Sequence, residues 1–204
     1  MNFNQFLDNL KHKKTKINGG LEAQFKLAPK FRVKYDNDKI NANNPRKAAV
    51  LALFYPNKNN ETCFLLIKRA TYNGTHSAQI SFPGGKIEKS DLNLKETALR
   101  ESFEEVGIHP NSVKIIRELT NVYIPPSNFL VTPFIGYTEI TPNFKINIEV
   151  ENTINVLVSD LMNDENISDS QVENVYVPCF KLNSYVVWGA TAMILSEIKE
   201  LLNS

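Results

Sequence analysis

The sequence lacks any apolar run long enough to cross a membrane. A transmembrane helix needs about 20 consecutive, mostly apolar residues, whereas the longest apolar run here, residues 48–55, has only the length of a strand. Residues 1–16 also lack the uninterrupted apolar core of a secretory signal. We therefore expect a protein without a membrane span that works in the cytoplasm.

Cysteine is scarce, with 2 in 204 residues. Cys63 and Cys179 have no CxxC spacing and no adjacent histidine, so the sequence does not predict a cysteine metal site. We expect two inert, reduced thiols, which is their usual state in the cytosol.

No excess of one charge is present, because 23 lysine and arginine residues balance 22 aspartate and glutamate residues. Proteins that bind nucleic acid or anionic membranes usually carry a basic excess or a clustered basic face. The composition therefore argues against nucleic-acid and membrane-surface partners, although a local basic pocket stays open. The chain is 42% hydrophobic, which is enough apolar material for a globular core.

One globular domain with a short N-terminal addition fits this length. Four apolar residues near the start are three or four positions apart along a predicted helix: Phe3, Phe6, Leu7 and Leu10. The polar, irregular stretch 16–47 predicts a connector or lid. We therefore divide the chain into residues 1–45, an N-terminal helix and connector, and residues 46–204, the main domain.

Strand-like and helix-like patterns alternate through the main domain. The apolar runs 48–55 and 63–69 flank a turn-rich segment and predict a β-hairpin. Residues from about Leu94 to Val106 show helical spacing, and Gly107 supplies a C-cap. Further strands are predicted at 78–82, 113–119, 129–139, 153–159 and 172–180, and a last helix at 191–202. The predicted fold class is mixed, α/β (α+β), with more strands than helices.

Three glutamates on the predicted helix carry the strongest chemical signal. Glu101, Glu104 and Glu105 are spaced i, i+3 and i+4, so their carboxylates project from one face within about one turn. Converging carboxylates raise one another's pKa unless a cation is present, and oxygen-only ligands suit Mg²⁺ or Mn²⁺. The pattern alone also fits a solvated helix face, so the neighbouring residues must decide between the two interpretations.

The neighbouring residues favour a site. Gly84 and Gly85 follow a strand, where a glycine backbone can approach a ligand closely. Arg100, next to Glu101, can hold an acidic partner and stiffen the loop against the helix. The opposite stripe of the helix is predicted to pack on the sheet: Ala98, Leu99, Ser102, Phe103 and Val106.

This segment resembles the signature of the Nudix hydrolase family, G-x5-E-x7-R-E-U-x-E-E-x-G-U, where U is a bulky aliphatic residue. The fixed positions that agree are Gly85, Arg100, Glu101, Glu104, Glu105, Gly107 and Ile108. The chain departs from the signature in three ways. The interval from Gly85 to Arg100 is one residue longer, Asp91 holds the place of the first glutamate, and Ser102 occupies the first U position.

The longer interval and the upstream residues 65–85 resemble the coenzyme A pyrophosphatase branch of the family. Its upstream motif has the form LLxxRs, a variable stretch, and HxGQxxFPGG, and this chain has Ala78 and Ala70 in place of the usual Gly and Ser. The residues that agree are Leu65, Leu66, Arg69, His76, Gln79, Phe82, Pro83, Gly84 and Gly85. The resemblance covers about residues 46–200.

The resemblance implies an α/β/α sandwich around a mixed sheet and cleavage of a nucleoside diphosphate derivative. In this branch the substrate is coenzyme A, which is cut into 4'-phosphopantetheine and 3',5'-ADP. The implied cofactor is Mg²⁺ or Mn²⁺, with Glu101 and Glu105 as its first ligands and Glu104 as a third. Family members differ in which glutamate takes the proton from water, so Glu101, Glu149 and Glu151 all stay candidates for the base.

Other residues are assigned to substrate and catalysis. Arg100 and Glu104 join Glu101 and Glu149 as predicted catalytic residues, while Gly84 and Gly85 are predicted to bind substrate. Arg69 suits bidentate contact with phosphate; its alternative role is a surface ion pair. His76 is either a hydrogen-bond donor to a phosphate or a structural residue. Either Tyr123 or Phe129 is a candidate to stack on adenine.

Two alternatives to a coenzyme A hydrolase remain. One is a Nudix hydrolase of another diphosphate, such as NADH, ADP-ribose or an oxidised nucleotide. The other is a catalytically silent nucleotide-binding regulator, which would predict lost box carboxylates or an added DNA-binding module; the sequence shows neither. The sequence leaves the oligomeric state open, a homodimer included.

Overall fold

The computed structural model describes residues 1–12, 20–70, 79–172 and 174–203. These residues form eleven strands: β1 (Arg46–Pro56), β2 (Thr62–Arg69), β3 (Ile80–Ser81), β4 (Gly84–Lys86), β5 (Lys114–Glu118), β6 (Val122–Ile124), β7 (Phe129–Tyr137), β8 (Val150–Leu157), β9 (Ile167–Val172), β10 (Val175–Leu182) and β11 (Tyr185–Trp188). They also form six α-helices: α1 (Phe3–His12), α2 (Gly20–Phe25), α3 (Asn37–Ala42), α4 (Leu94–Val106), α5 (Val158–Met162) and α6 (Gly189–Asn203).

A mixed eight-stranded sheet forms the centre of the fold. Its main order is β3-β2-β1-β7-β5, with β4 on β1, β6 on β7 and β8 on β2. β1 and β2 are antiparallel neighbours, with Phe54 opposite Phe64, so the predicted hairpin is confirmed. β1 runs parallel to β7 from Arg46 opposite Phe129. The strands β9, β10 and β11 form a separate three-stranded sheet.

Helices cover both faces of the main sheet. Successive side chains of β1 point to opposite faces, so each face contributes to a core of its own. Leu51 and Leu53 point into a core shared with Ala98 and Val106 of α4. Ala52 and Phe54 point into a second core, whose helical residues come from α1, α5 and α6. The predicted α/β/α sandwich around a mixed sheet is therefore confirmed.

The N-terminal segment packs against the second core. Phe6 of α1 is fully buried, and its ring centroid lies 4.6 Å from that of Phe54. Gln24 of α2 donates a hydrogen bond from its side-chain amide to Glu197 of α6 at 2.8 Å. The expectation of an irregular connector at 16–47 was wrong in part, because α2 and α3 lie within it. The domain division at residues 45 and 46 stays a prediction.

The structure contains more strands and helices than were predicted, and the predicted ones differ in their ends. The last helix begins at Gly189, and the strand predicted at 153–159 begins at Val150. β9 was not predicted; the run at 172–180 is the second arm of a hairpin that β9 opens. Cys63 and Cys179 are buried, free thiols. No helix within the described ranges has the length and apolarity that crossing a bilayer requires.

Candidate active site

Helix α4 carries the carboxylates. The side chain of Asn93 caps its first turn by accepting a hydrogen bond from the backbone N–H of Glu96 at 3.1 Å. Gly107 ends the helix with φ of 74°, in the left-handed region that glycine adopts readily. The predicted C-cap is therefore confirmed, and α4 is fixed at both ends.

The buried face of α4 differs from the predicted stripe. Ala98, Ser102 and Val106 are buried as expected, but Phe103 is 49% exposed and its ring meets His109 edge-on. The prediction for Phe103 was therefore wrong. Glu105, which the spacing placed with the other carboxylates, is buried, and Arg69 and Gly84 bind its carboxylate there.

Arg100 clamps the preceding loop to the helix. Its guanidinium donates to both carboxylate oxygens of Asp91, at 2.8 Å from Nε and 3.0 Å from Nη2, and to the backbone oxygen of Lys86 at 3.1 Å. These hydrogen bonds lower the pKa of Asp91 to about 2, and Thr97 adds a further one from its hydroxyl. Asp91 is thus the acidic partner expected for Arg100, although it replaces the glutamate of the signature.

Glu105 is held on both of its oxygens. Arg69 Nη1 donates to Oε1 at 2.7 Å, and the backbone N–H of Gly84 donates to Oε2 at 2.8 Å. Burial raises the pKa of Glu105 to about 7, and the charge of Arg69 opposes that rise only in part. A buried carboxylate of this kind gains from a nearby cation.

Glu101 faces Gly85, the next residue of β4. The two glycines thus lie in a short strand paired with β1, and the expectation of a glycine loop after the strand was wrong. A Cβ atom added to Gly85 would lie 2.5 Å from the carboxyl carbon of Glu101, so only glycine leaves room for this carboxylate. Burial raises the pKa of Glu101, Arg100 lowers it, and the charges of Glu104 and Glu149 raise it further. Negative charges therefore converge on this point of the fold.

Glu149 lies near Glu101 and Glu105, in the loop that precedes β8. Its Oε2 lies 3.5 Å from Arg69 Nη2, and its backbone oxygen accepts a hydrogen bond from the N–H of Ala70 at 2.8 Å. Arg69 thereby lies between Glu105 and Glu149. The sequence offered no sign of this link, since the three residues come from distant segments. The pairing of β2 with β8 brings Glu149 to Arg69, and the packing of α4 brings Glu105 there.

Glu104 and Glu151 are placed differently. The Glu104 side chain is 51% exposed and pairs with Arg100 Nη1 at 3.1 Å. Glu151 pairs with Lys68 at 2.5 Å. His76 lies outside the described residues. Glu104 and Glu151 therefore both form ion pairs at the edge of the cluster of Glu101, Glu105 and Glu149.

The two candidate adenine platforms are already in contact with other groups. Tyr123 donates its hydroxyl proton to the side-chain oxygen of Asn128 at 2.9 Å, and its ring meets Tyr35 edge-on. Phe129 lies under the guanidinium of Arg46, 4.0 Å from the ring centroid. A role in stacking stays a prediction for both.

The donor chemistry fits a divalent cation. Glu101, Glu105 and Glu149 offer only oxygen atoms, which suit Mg²⁺ or Mn²⁺, and two of the three have raised pKa values. As the side chains stand, no three acidic, histidine or cysteine residues of the described segments are grouped closely enough to hold a metal. Glu101 and Glu105, together with Glu149, could hold one after side-chain adjustment, and Glu104 stays the predicted third ligand.

A cavity of about 420 Å³ lies between the N-terminal segment and the small sheet. Its lining residues are Phe25, Lys26, Ala28, Pro29, Lys30, Arg32, Asp169 and Pro178. None of the candidate site residues named above is part of it. The cavity therefore shares no lining residue with the cluster of Glu101, Glu105 and Glu149.

Comparison with known proteins identifies the family. The family model of the NUDIX domain matches residues 45–175. A NudL protein of Enterobacter sp. (strain 638), described as an uncharacterized Nudix hydrolase, is 33% identical over 181 residues, which cover 82% of this chain and 87% of that protein. Nudix hydrolase 3 of Caenorhabditis elegans is 29% identical over 160 residues, 68% of this chain.

Coverage of these relatives varies. The matched region spans 66% of the Caenorhabditis elegans protein and 53% of Nudix hydrolase 22, chloroplastic, of Arabidopsis thaliana, which is 32% identical. The chain thus matches between half and two thirds of the length of these larger relatives.

Solved structures agree on the fold. The Nudix hydrolase RenU from M. smegmatis superposes with a TM-score of 0.56 at 14% identity and covers 87% of this chain and 93% of that one. The MutT protein from Methanosarcina mazei Go1 gives a TM-score of 0.51 at 19% identity, over 78% and 97% of the two chains. With the domain model matching most of the main domain and the NudL relative matching most of both chains, this chain belongs to the Nudix family.

Proposed function

We propose that the protein hydrolyses the diphosphate of a nucleoside diphosphate derivative with the help of a divalent metal ion, and that coenzyme A or a derivative of it is the substrate. One observation carries the reaction class: the buried carboxylate of Glu105 and the half-buried Glu101 lie beside the two glycines of β4 and beside Arg69. This arrangement offers negative ligands for a cation and a guanidinium for phosphate in one place.

The choice of coenzyme A rests on the upstream residues. Arg69, Gly84 and Gly85 agree with the motif of that branch and all lie at the carboxylate group. The names of the relatives specify no coenzyme A substrate, so the substrate is our proposal. Hydrolysis of NADH, ADP-ribose or an oxidised nucleotide is the alternative that the experiment below separates.

The residues divide the work of the reaction. A metal ion, when bound, neutralises phosphate oxygens and lowers the pKa of a bound water. Glu101 and Glu105 supply oxygen ligands, with Glu104 a further candidate, and Arg69 donates hydrogen bonds to phosphate oxygens. Gly84 and Gly85 have no side chains that would keep a diphosphate away from the backbone of β4.

The bond changes are those of anhydride hydrolysis. The water oxygen bonds to one phosphorus atom, and the bond from that phosphorus to the bridging oxygen breaks. The other phosphate leaves with the bridging oxygen and its electron pair. Either Glu101 or Glu149 accepts the water proton, and 3',5'-ADP and 4'-phosphopantetheine are the products from coenzyme A. Arg100 is a positioning residue, because it holds the loop before α4 and contacts Glu101.

The test is product analysis by chromatography. Purified protein with Mg²⁺ or Mn²⁺ is incubated with coenzyme A, acetyl-coenzyme A, NADH, ADP-ribose and deoxynucleoside triphosphates. Glu105→Gln is compared with Glu88→Gln, which changes an exposed loop carboxylate. We expect 3',5'-ADP from coenzyme A with wild type and Glu88→Gln, and a loss of at least about 100-fold with Glu105→Gln.

Other outcomes would change the proposal. Turnover of only another substrate would contradict the coenzyme A assignment and keep the reaction class. Tight nucleotide binding without turnover of any substrate would favour the regulator.

We also propose the cytoplasm as the location, because the free, buried thiols Cys63 and Cys179 fit a reducing compartment.

A further inference from the structure

We propose that Arg69 takes the place of the metal ion at Glu105 in the metal-free protein and leaves that carboxylate when metal and diphosphate bind, so that the two ligands bind cooperatively. The inference rests on the proposed function, since it assigns a second duty to a residue of the same site. It predicts that Arg69 weakens metal binding in the absence of substrate.

The contacts of Glu105 are the first support. Its side chain is only 2% exposed, and Arg69 and the N–H of Gly84 each engage one of its oxygens. A carboxylate this deeply buried is costly without an opposite charge. Arg69 supplies that charge through a 2.7 Å contact, the distance of a strong, charge-assisted hydrogen bond.

The neighbouring cations have other partners. Lys68 pairs with Glu151 at 2.5 Å. Arg100 pairs with Asp91 at 2.8 Å and also contacts Glu101 and Glu104, each at 3.1 Å. Of the ion pairs that the described segments form, the one with Arg69 is the pair that neutralises Glu105. Arg69 therefore acts as the local counter-ion of this carboxylate.

The charges predict an exchange. Arg69 contacts both Glu105 and Glu149, so two carboxylates share its one positive charge, while Glu101 is paired with Arg100. A divalent ion at Oε1 of Glu105 would stand beside the guanidinium, and the two cations would repel each other. A diphosphate brings new negative charge, on which Arg69 finds partners when it leaves Glu105.

The geometry allows Arg69 to move without a change in the sheet. Its backbone is fixed, because its N–H donates to the oxygen of Gln79 at 3.1 Å and the next N–H donates to Glu149. Its side chain is 20% exposed, and its second contact, to Glu149, is long at 3.5 Å. The long side chain can therefore change partners by rotation of its own bonds.

Cooperativity follows from linkage. Any ligand that draws Arg69 away from Glu105 removes the repulsion that metal meets, and metal in turn frees Arg69 for phosphate. The two effects must be equal in binding free energy. Metal and diphosphate are then each expected to raise the affinity for the other, beyond their direct contact.

The experiment measures Mn²⁺ binding by electron paramagnetic resonance, without turnover. Wild type is compared with Arg69→Gln, with Arg69→Lys, and with the control Lys68→Gln, which removes the adjacent cation that pairs with Glu151 instead. Each protein is titrated alone and with the non-hydrolysable analogue imidodiphosphate. Thermal melting checks that the variants are folded.

We expect Arg69→Gln to bind Mn²⁺ roughly fivefold more tightly than wild type in the absence of the analogue, a size typical of coupling between sites. Imidodiphosphate should then raise Mn²⁺ affinity less than it does in wild type. Lys68→Gln should match wild type. If Arg69→Gln does not fold, Arg69→Lys must show both effects in smaller measure.

Equal or weaker Mn²⁺ binding by the Arg69 variants would overturn the inference, since Arg69 would then only support Glu105. Glu101→Gln separates this result from failure of the proposed function. If wild type binds no Mn²⁺, or Glu101→Gln binds it as well as wild type, the metal site itself is wrong and the inference falls with it. If wild type binds Mn²⁺ and Glu101→Gln does not, the proposed function stands, whatever the Arg69 variants show.

Discussion

Arg100 grips Asp91 with two hydrogen bonds, Nε to Oδ1 at 2.8 Å and Nη2 to Oδ2 at 3.0 Å. The pair joins the loop after β4 to the middle of α4. Because Glu101 and Glu104 both contact the same guanidinium, the clamp also sets the direction of two candidate ligands. A shorter acid at position 91 thus serves where the family signature has glutamate.

The clamp predicts a pH-dependent loss of stability in Asp91→Asn. The folded-state pKa of Asp91 is about 2, below its ordinary value of 3.8. Its stabilising effect is therefore present above pH 3.8 and is lost as the pH falls through about 2. We expect Asp91→Asn to lower the free energy of unfolding by on the order of 2 kcal/mol at pH 7. Urea titrations at several pH values check this, with the exposed Asp8→Asn as control.

A pH-independent difference between Asp91→Asn and wild type would contradict the assignment. So would an equal loss in Asp8→Asn, because that residue has no comparable partner in the described contacts.

Gly85→Ala is expected to damage the site more than the fold. The added Cβ would lie 2.5 Å from the carboxyl carbon of Glu101, and this side chain can move aside. A displaced ligand of this kind costs on the order of 100-fold in kcat, whereas melting should stay near that of wild type. Steady-state kinetics and thermal melting measure the two effects.

Gly189→Ala is the matched control for Gly85→Ala. A Cβ there meets nothing within 4 Å, but φ is +64°, so the cost falls on the backbone. It should lower the melting temperature and leave kcat unchanged. The opposite pattern in the two variants would refute the close approach of Gly85 to Glu101.

Glu105→Gln is expected to stabilise the metal-free protein at alkaline pH. The pKa of Glu105 rises in the fold from 4.5 to about 7. The folded state therefore holds the proton more tightly than the unfolded state, and stability falls as the pH rises from 4.5 to 7. The neutral variant avoids this loss, which is on the order of 3 kcal/mol at most.

Melting in a chelator at pH 5 and pH 8 measures the effect of Glu105→Gln. The variant should melt higher than wild type at pH 8, and the difference should narrow at pH 5. Added Mg²⁺ or Mn²⁺ should stabilise wild type alone. A lower melting temperature for the variant at pH 8 would show that the Arg69 contact outweighs the cost of burial.

Phe6→Ala is expected to destabilise the whole fold. The Phe6 ring is fully buried against Phe54 of the central strand. Truncation of such a side chain costs about 3–5 kcal/mol, while Phe31→Ala, at a residue 65% exposed, should cost under about 0.5 kcal/mol. Urea unfolding of both variants makes the comparison. Equal stabilities would mean that α1 is dispensable.

Local patterns predicted the elements that local forces set. The hairpin of β1 and β2 and the helix α4 with Gly107 at its end follow from apolar spacing and turn residues. The short helices α2 and α3 were missed because they lie in a polar stretch. In α2, Gln24 is held by distant partners, Thr120 and Glu197, that no local pattern reveals.

The site was predicted in its composition but not in its contacts. Spacing placed Glu101, Glu104 and Glu105 on one helix, yet Glu105 is buried and Glu104 is half-exposed. The difference arises because Arg69 and Gly84 reach only Glu105. These contacts depend on how β2 and β4 lie beside α4, which is information that the helical spacing does not contain.

The parallel pairing of β1 with β7 has a consequence for how the chain folds. The hairpin of β1 and β2 can form from neighbouring residues. The other edge of β1 stays unpaired until β7, Phe129–Tyr137, is available. Contacts between such distant segments slow folding. During synthesis, β1 therefore exposes an unpaired edge until β7 has left the ribosome, and an unpaired edge of this kind can pair with another chain and aggregate.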